Sequence, residues 1–268
     1  MKKLFLLGFF TVIFLTGIGG IYLWYRAASA VTESDPMAEV PLLNAPPERG
    51  AALLESAMPP VSETAPQEGP PVSAIPAARQ IRQEFLDLRR EYGNNDIIGR
   101  LVIEGTSINY LVTQAGDNSF YLYHDIMKQP NPAGWVFLDY TNNIARPDRN
   151  TIIYGHNMRQ DMRFHAVRRF AERDFFERHR YIIFNTVYED KVWEVFAFYT
   201  AHVSFPYIQV IFPSGEDFYG LVNEMKARSW HDAGIQVTAS DRILTLSTCA
   251  GNDADMRYVL NARLVAGD

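Results

Sequence analysis

The sequence predicts a mostly β protein with flanking helices, closing as a mixed, eight-stranded β-barrel. Three observations lead there. First, residues 97–265 contain about eight short apolar runs rich in β-branched types, each bounded by Gly, Pro, Asn, Asp or Ser clusters. Second, several of these runs alternate apolar and polar residues, as half-buried strands do. Third, helical periodicity is confined to three segments, too few for an alternating strand–helix fold and compatible with a closed or nearly closed barrel. No internal repeat is evident.

The chain has 268 residues, but residues 1–78 do not have a globular composition. Residues 1–3 are a short basic start, expected on the cytoplasmic side. Leu4 to Tyr25 is an uncharged run of 22 residues. At about 1.5 Å per residue it spans a hydrocarbon core of roughly 30 Å as a helix. Tyr22, Trp24 and Tyr25 close it like an interfacial aromatic belt, and Lys2 and Lys3 precede it, which directs the rest of the chain outward. A cleaved signal peptide is the competing reading, with Ala28-Ser29-Ala30 as cleavage site. The apolar run exceeds the roughly 7–15 residues of a usual signal core, which favours a retained anchor. Both readings place the body outside the membrane. Residues 26–78 hold ten of the fifteen prolines and no lysine. Such a segment cannot bury enough apolar surface to offset its ordering entropy, so an extended, acidic, Pro-rich stalk is expected.

Residues 79–268 are long enough for one well-buried core. Net charge is −6 for the chain, and −3 for this part once the basic start and acidic stalk are removed. No basic stripe is visible, so nucleic acid is not an expected partner. In order, Pro76 to Tyr92 reads as a surface helix with an Ile81, Phe85, Leu88 stripe. Ile97–Ile103 and Ile108–Val112 form a hairpin-like pair across Glu104-Gly105-Thr106-Ser107. Gly116 to Pro132 is polar and aromatic, a loop or short helix. Trp135–Asp139 and Thr151–His156 are the next strands. Phe164 to His179 is helical by pattern, with His165 and His179 on its solvated face. Tyr181–Phe184 and Lys191–Val203 are strands. Gly215 to Trp230 is a helical insertion, Arg242–Thr248 a strand, and Arg257–Val265 the last strand.

Cys249 is the only cysteine. That excludes an internal disulfide and a cysteine-rich zinc site. It falls where the alternating run Arg242–Thr248 gives way to the turn cluster Ala250-Gly251-Asn252-Asp253, a rigid support with an exposed edge. A lone cysteine is often only a small packed hydrophobe. A nucleophilic one needs a base or positive charge nearby, and acyl transfer needs a donor for the developing oxyanion. His156, in a Gly-His-Asn turn after a strand, is the best of six histidines, with His124 second. Arg257 opens the strand after the cysteine. A phosphatase loop places five residues between cysteine and arginine; seven intervene here.

The run Thr245-Leu246-Ser247-Thr248-Cys249, the Tyr154-Gly155-His156-Asn157 turn and Arg257 resemble a sortase. The insertion at 215–230, the helix at 76–92 and the segment 117–125 are similar to class B sortases. The cysteine is followed by Ala250, where class B members often carry an acid. The resemblance spans roughly residues 79–268. It implies an eight-stranded sortase-type barrel, a membrane anchor and a cysteine transpeptidase. Such an enzyme cleaves an LPXTG- or NPXTN-type sorting signal and transfers the acyl group to a cell-wall or pilin amine. Carried over by position, Cys249 is the nucleophile, His156 the general acid/base and Arg257 the oxyanion support. Ser247, Asn118, Leu122, Tyr207 and Ile208 match substrate-groove positions. No cofactor is implied, and no metal, since the class A calcium site has no match. A thiol hydrolase on the same fold and a non-catalytic wall-binding module are the alternative expectations.

Overall fold

The computed structural model describes residues 79–146, 148–158, 162–251 and 253–267. The expected anchor at 4–25 and the stalk at 26–78 lie outside these residues. No helix among the described residues is long and apolar enough to cross a membrane.

Eight strands form one closed barrel: β1 (Ile97–Val102), β2 (Asn109–Thr113), β3 (Phe137–Leu138), β4 (Asn150–Tyr154), β5 (Tyr181–Thr186), β6 (Lys191–His202), β7 (Ile243–Cys249) and β8 (Met256–Gly267). The spatial order is β1-β2-β3-β4-β7-β8-β6-β5, and β5 pairs with β1 to close the ring. Two pairs are parallel, β2 with β3 and β4 with β7. The barrel is therefore mixed, and each parallel pair needs a long crossover connection. Between β4 and β7 that connection contains β5, β6, a 3-10 helix and two α-helices.

The helices pack outside. Helix α1 (Gln83–Glu91) buries Phe85, while Arg82 just before it binds Asp190 at 2.5 Å and the Thr186 carbonyl at 2.8 Å. The sequence pattern begins this helix near Pro76, but residues 79–82 are not helical. The helical stretch expected over 164–179 is two pieces: a 3-10 helix, His165–Ala171, and α2, Arg173–Arg178, separated by extended Glu172. Phe164, Val167 and Phe170 recur every third residue, the period at which 3-10 side chains eclipse, and all three are buried. The third helix, α3 (Gly215–Arg228), is capped by Ser214, whose hydroxyl accepts from Asp217 N, and carries acids in its first turn and bases in its last. Its buried face, Phe218, Leu221, Val222 and Met225, packs on Phe196, Ala197, Tyr199, Ala201 and Val259 of the barrel. Burying each of these helix side chains contributes roughly 1.5–3 kcal/mol.

A polar chain runs through the apolar interior. Asn261 Nδ2 donates to Thr245 Oγ1 (2.8 Å), which donates to Asn150 Oδ1 (2.7 Å). Asn150 Nδ2 then donates to the carbonyls of Tyr207 and Gln209, both at 3.0 Å. All three side chains are fully buried. Fixing 207–209 to the start of β4 makes the connection between β6 and α3 part of the barrel. Asn150→Ala leaves a hydroxyl and two carbonyls without these partners. It should cost about 2–4 kcal/mol, read as a lowered midpoint in chemical denaturation.

Candidate active site

Strand β7 is buried through Thr248, and Cys249 is its first partly exposed residue. In the antiparallel ladder with β8, the last pair is Cys249 with Arg257. The turn between them is closed by Ala250 N donating to Met256 O at 2.9 Å. Arg257 Nη1 donates to the carbonyls of Ala254 (2.6 Å) and Met256 (2.9 Å), which pins the guanidinium beside the strand end. The thiol and the guanidinium thus stand on directly opposed residues.

His156 arrives from the other side of β7. Strand β4 runs parallel to β7, in register from Asn150 with Ile243 to Tyr154 with Ser247. The two chains stay together beyond the ladder. Gly155 N donates to Ser247 O (3.3 Å), and Asn157 Nδ2 donates to Cys249 O (2.9 Å). His156 therefore leaves the barrel at the level of Cys249. Its Nε2 lies 2.9 Å from Leu122 O. A carbonyl only accepts, so Nε2 carries the proton, and Nδ1 is the basic nitrogen of the neutral ring.

Two glycines make room for this histidine. Gly134 has φ +56°, and a Cβ there would lie 2.6 Å from Tyr121 O, 2.7 Å from Leu122 O and 2.9 Å from His156 Cδ2. A Cβ on Gly155 would lie 2.8 Å from the Phe164 ring. Phe164 N in turn donates to His156 O at 2.9 Å.

The residues matched to the groove occupy different settings. Ser247 and Tyr207 are buried, with their hydroxyls 3.0 Å apart. Burial pushes the Tyr207 phenol above its ordinary pKa; the Ser247 hydrogen bond and the Arg257 charge oppose that shift, and Cys249 adds to it. Tyr207 therefore stands within electrostatic reach of both ladder partners. Tyr154 is raised further, by burial and by the Asp139 carboxylate, to which its hydroxyl donates at 2.8 Å. Asn118 is half-buried, and its amide is engaged at both ends: Nδ2 with Asp139 Oδ2 (2.8 Å) and Oδ1 with Tyr140 N (3.0 Å). Leu122 is half-buried and supplies the carbonyl that meets His156. Ile208 is 43% exposed.

Among the other histidines, two expectations are corrected. His165 is not a solvated helix residue: Nδ1 lies 2.9 Å from Asn157 Oδ1, because the 3-10 helix turns it back toward the His156 turn. His179 is half-buried and stacked on Phe175, with ring centroids 3.9 Å apart. His124 stacks on Phe120 and contacts its carbonyl. Sequence reasoning missed Asn157 and Asp139, which tie neighbouring elements together. No periodicity marks either, and only adjacency to His156 could have drawn attention to Asn157. Among the described residues, no group of three His, Cys, Asp or Glu is disposed to hold a metal ion.

A closed mixed barrel that sets a partly exposed thiol opposite an arginine, beside a histidine turn, holds the groups that cysteine-based acyl transfer needs. Comparison with known proteins narrows this. A model of the sortase domain matches residues 101–265. Sortase B of Listeria monocytogenes is 34% identical over 188 residues, 70% of this chain and 74% of the relative. Sortase B of Staphylococcus aureus is 32% identical over 187 residues, 69% and 76% of the two chains. Among solved structures, a Staphylococcus aureus sortase B–substrate complex has TM-score 0.65 at 32% identity, covering 69% of this chain and 85% of that one. Sortase B from B. anthracis has TM-score 0.64 at 34% identity, covering 69% and 84%. The chain belongs to the sortase family, its similar relatives are of class B, and it is a cysteine transpeptidase by kinship.

Two predictions follow from this geometry. Gly134→Ala forces a side chain at positive φ into two carbonyls and the imidazole. It should destabilise the fold by about 1–3 kcal/mol and displace His156, seen as a lowered melting temperature together with reduced turnover. Tyr121, Tyr154, Tyr199 and Tyr207 all have phenol pKa values raised above 10. The folded state keeps these protons where the unfolded chain releases them. Stability should therefore be intact below about pH 10 and fall above it, and Tyr154→Phe should flatten the alkaline limb of a denaturation series.

Proposed function

We propose that the protein is a membrane-anchored transpeptidase that cleaves LPXTG- or NPXTN-type sorting signals outside the cell and passes the acyl group to a cell-wall or pilin amine. The reading rests on one observation above all. Cys249 is the ladder partner of Arg257, and the Gly155-His156 turn continues the parallel strand on the other side.

In this reading the Cys249 thiol gives its proton to His156 Nδ1 as Sγ attacks the carbonyl carbon of the signal's threonine, and that proton is the one His156 later hands to the leaving amine. The developing oxyanion takes hydrogen bonds from Arg257, whose Nη1 is already braced by Ala254 and Met256. His156 protonates the departing amine, and the C–N bond breaks to leave a thioester. An acceptor amine then attacks the thioester, His156 removes its proton, and the thiolate leaves to restore Cys249. Tyr207, Ser247, Leu122, Ile208 and Asn118 would shape the groove. Because the Tyr207 and Ser247 hydroxyls bind one another, one of their two protons is committed to the pair and their positions in the wall are fixed. The Asn118 amide is held by Asp139 and Tyr140, so it would support the groove from behind. Residues 4–25 would anchor the chain, and the acidic stalk would space the barrel from the lipid. The cargo proteins would carry a C-terminal sorting signal.

A panel of fluorogenic LPXTG and NPXTN peptides tests this. Cleavage should occur, should speed up when a glycine-based amine is added, and should yield the amide product by mass spectrometry. Cys249→Ala should abolish it while leaving the melting temperature within a few degrees, and Arg257→Ala should cost on the order of a hundredfold or more in kcat. A folded protein that cleaves no such peptide overturns the proposal. Cleavage with no transfer to any amine reassigns it as a hydrolase.

A further inference from the structure

The Gly-His turn is secured at its neck by backbone contacts. Asn157 and Arg163 form a bridge pair, and Phe164 N donates to His156 O at 2.9 Å. Arg163 adds weight to that side. Its guanidinium lies over the Trp135 ring at 4.4 Å, and its Nε donates to Gly134 O at 3.2 Å. These contacts hold the turn to the β2–β3 side of the barrel. They do not connect it to β7.

Gly155 N donates to Ser247 O of β7 at 3.3 Å, and beyond it the Asn157 side chain carries the connection to the cysteine itself. Its Nδ2 donates to the main-chain carbonyl of Cys249 at 2.9 Å, across 92 positions of sequence, and its Oδ1 lies 2.9 Å from His165 Nδ1. The orientation of the amide is fixed by chemistry. A main-chain carbonyl can only accept, so the NH2 end must face Cys249, and His165 must present its Nδ1 proton to Oδ1. Both polar ends are used, with one residue on each side. The residue following the imidazole is thereby bonded to the residue that carries the thiol.

We propose that Asn157 is a positioning residue for the reaction. Its amide sets the spacing and orientation of Cys249 relative to His156, with His165 holding the amide in the one orientation that allows it. The inference rests on reading Cys249 and His156 as the reacting pair. Thiol–imidazole proton transfer tolerates little misplacement, and a displacement of about 1 Å can cost on the order of a hundredfold. The role differs from a packing role in a testable way. Asn157→Asp keeps the shape of the side chain but sets a carboxylate oxygen against the Cys249 carbonyl, so shape alone cannot rescue it.

The test compares the full chain with Asn157→Ala, Asn157→Asp and His165→Ala. Three readouts are taken: kcat and KM on the cleavable sorting peptide, the melting temperature, and the pH profile of Cys249 alkylation by iodoacetamide. In both Asn157 variants kcat should fall roughly ten- to hundredfold with KM nearly unchanged. The alkylation midpoint should move to higher pH as the thiol loses its imidazole partner. His165→Ala should give a smaller change in the same directions. If Asn157→Asp retains wild-type kcat and the wild-type alkylation profile, the proposal is overturned. It is overturned equally if the losses track the melting temperature alone. Alkylation needs no turnover. A wild-type chain that cleaves no peptide therefore sinks the transpeptidase reading, while the profile still decides the role of Asn157.

Discussion

The parallel pairing of β4 with β7 is the constraint on which the rest depends. In an antiparallel pair the end of one strand lies beside the start of the other. In a parallel pair both chains leave the sheet at the same edge. Here the register from Asn150–Ile243 to Tyr154–Ser247 brings the Gly155-His156-Asn157 turn and Cys249 to one mouth of the barrel. Strand β8 then returns antiparallel and delivers Arg257 opposite Cys249. His156, distant in sequence, and the neighbouring pair Cys249 and Arg257 are thus brought together by two ladders, without a flexible loop having to find its place. The cost is the long crossover between β4 and β7. The protein uses that crossover to carry β5, β6 and α3, whose buried face seals one side of the barrel.

Much of the fold was legible because strand burial writes itself as alternation and short β-branched runs. β1, β2 and β4 to β8 sit within a few residues of where the pattern places them. Strand β3 was overread: Trp135 to Asp139 has the right composition, but only Phe137 and Leu138 join the ladder. Trp135 instead sends its indole N–H to Leu111 O, and Asp139 accepts from Asn118, Thr141 and Tyr154. The segment 164–179 looked like one helix because aromatic residues among charges satisfy a loose helical template. The strict spacing of three at Phe164, Val167 and Phe170 was the signal for a tighter turn.

The candidate site residues were singled out for a different reason: a sole cysteine at a strand end and a Gly-His turn after another strand stand apart from the alternating pattern. What surrounds them was not. The Asn157–Cys249 carbonyl bond, the Asn157–His165 contact and the Asp139 cluster join residues with no shared periodicity. Side-chain amides and carboxylates of this kind look in sequence like ordinary loop polarity. Their partners are often main-chain atoms, which carry no residue identity at all.

The buried chain from Asn261 through Thr245 to Asn150 has an evolutionary consequence. It clamps the backbone of Tyr207 and Gln209 from inside, while the side chain of Ile208 between them faces outward, 43% exposed. Drift at position 208 can therefore change the exposed surface there without loosening the backbone beneath it. Drift at 150, 245 or 261 strikes the foundation first. Diversification among descendants of this chain should accumulate at the outward position and leave the three inner polar residues frozen as a set.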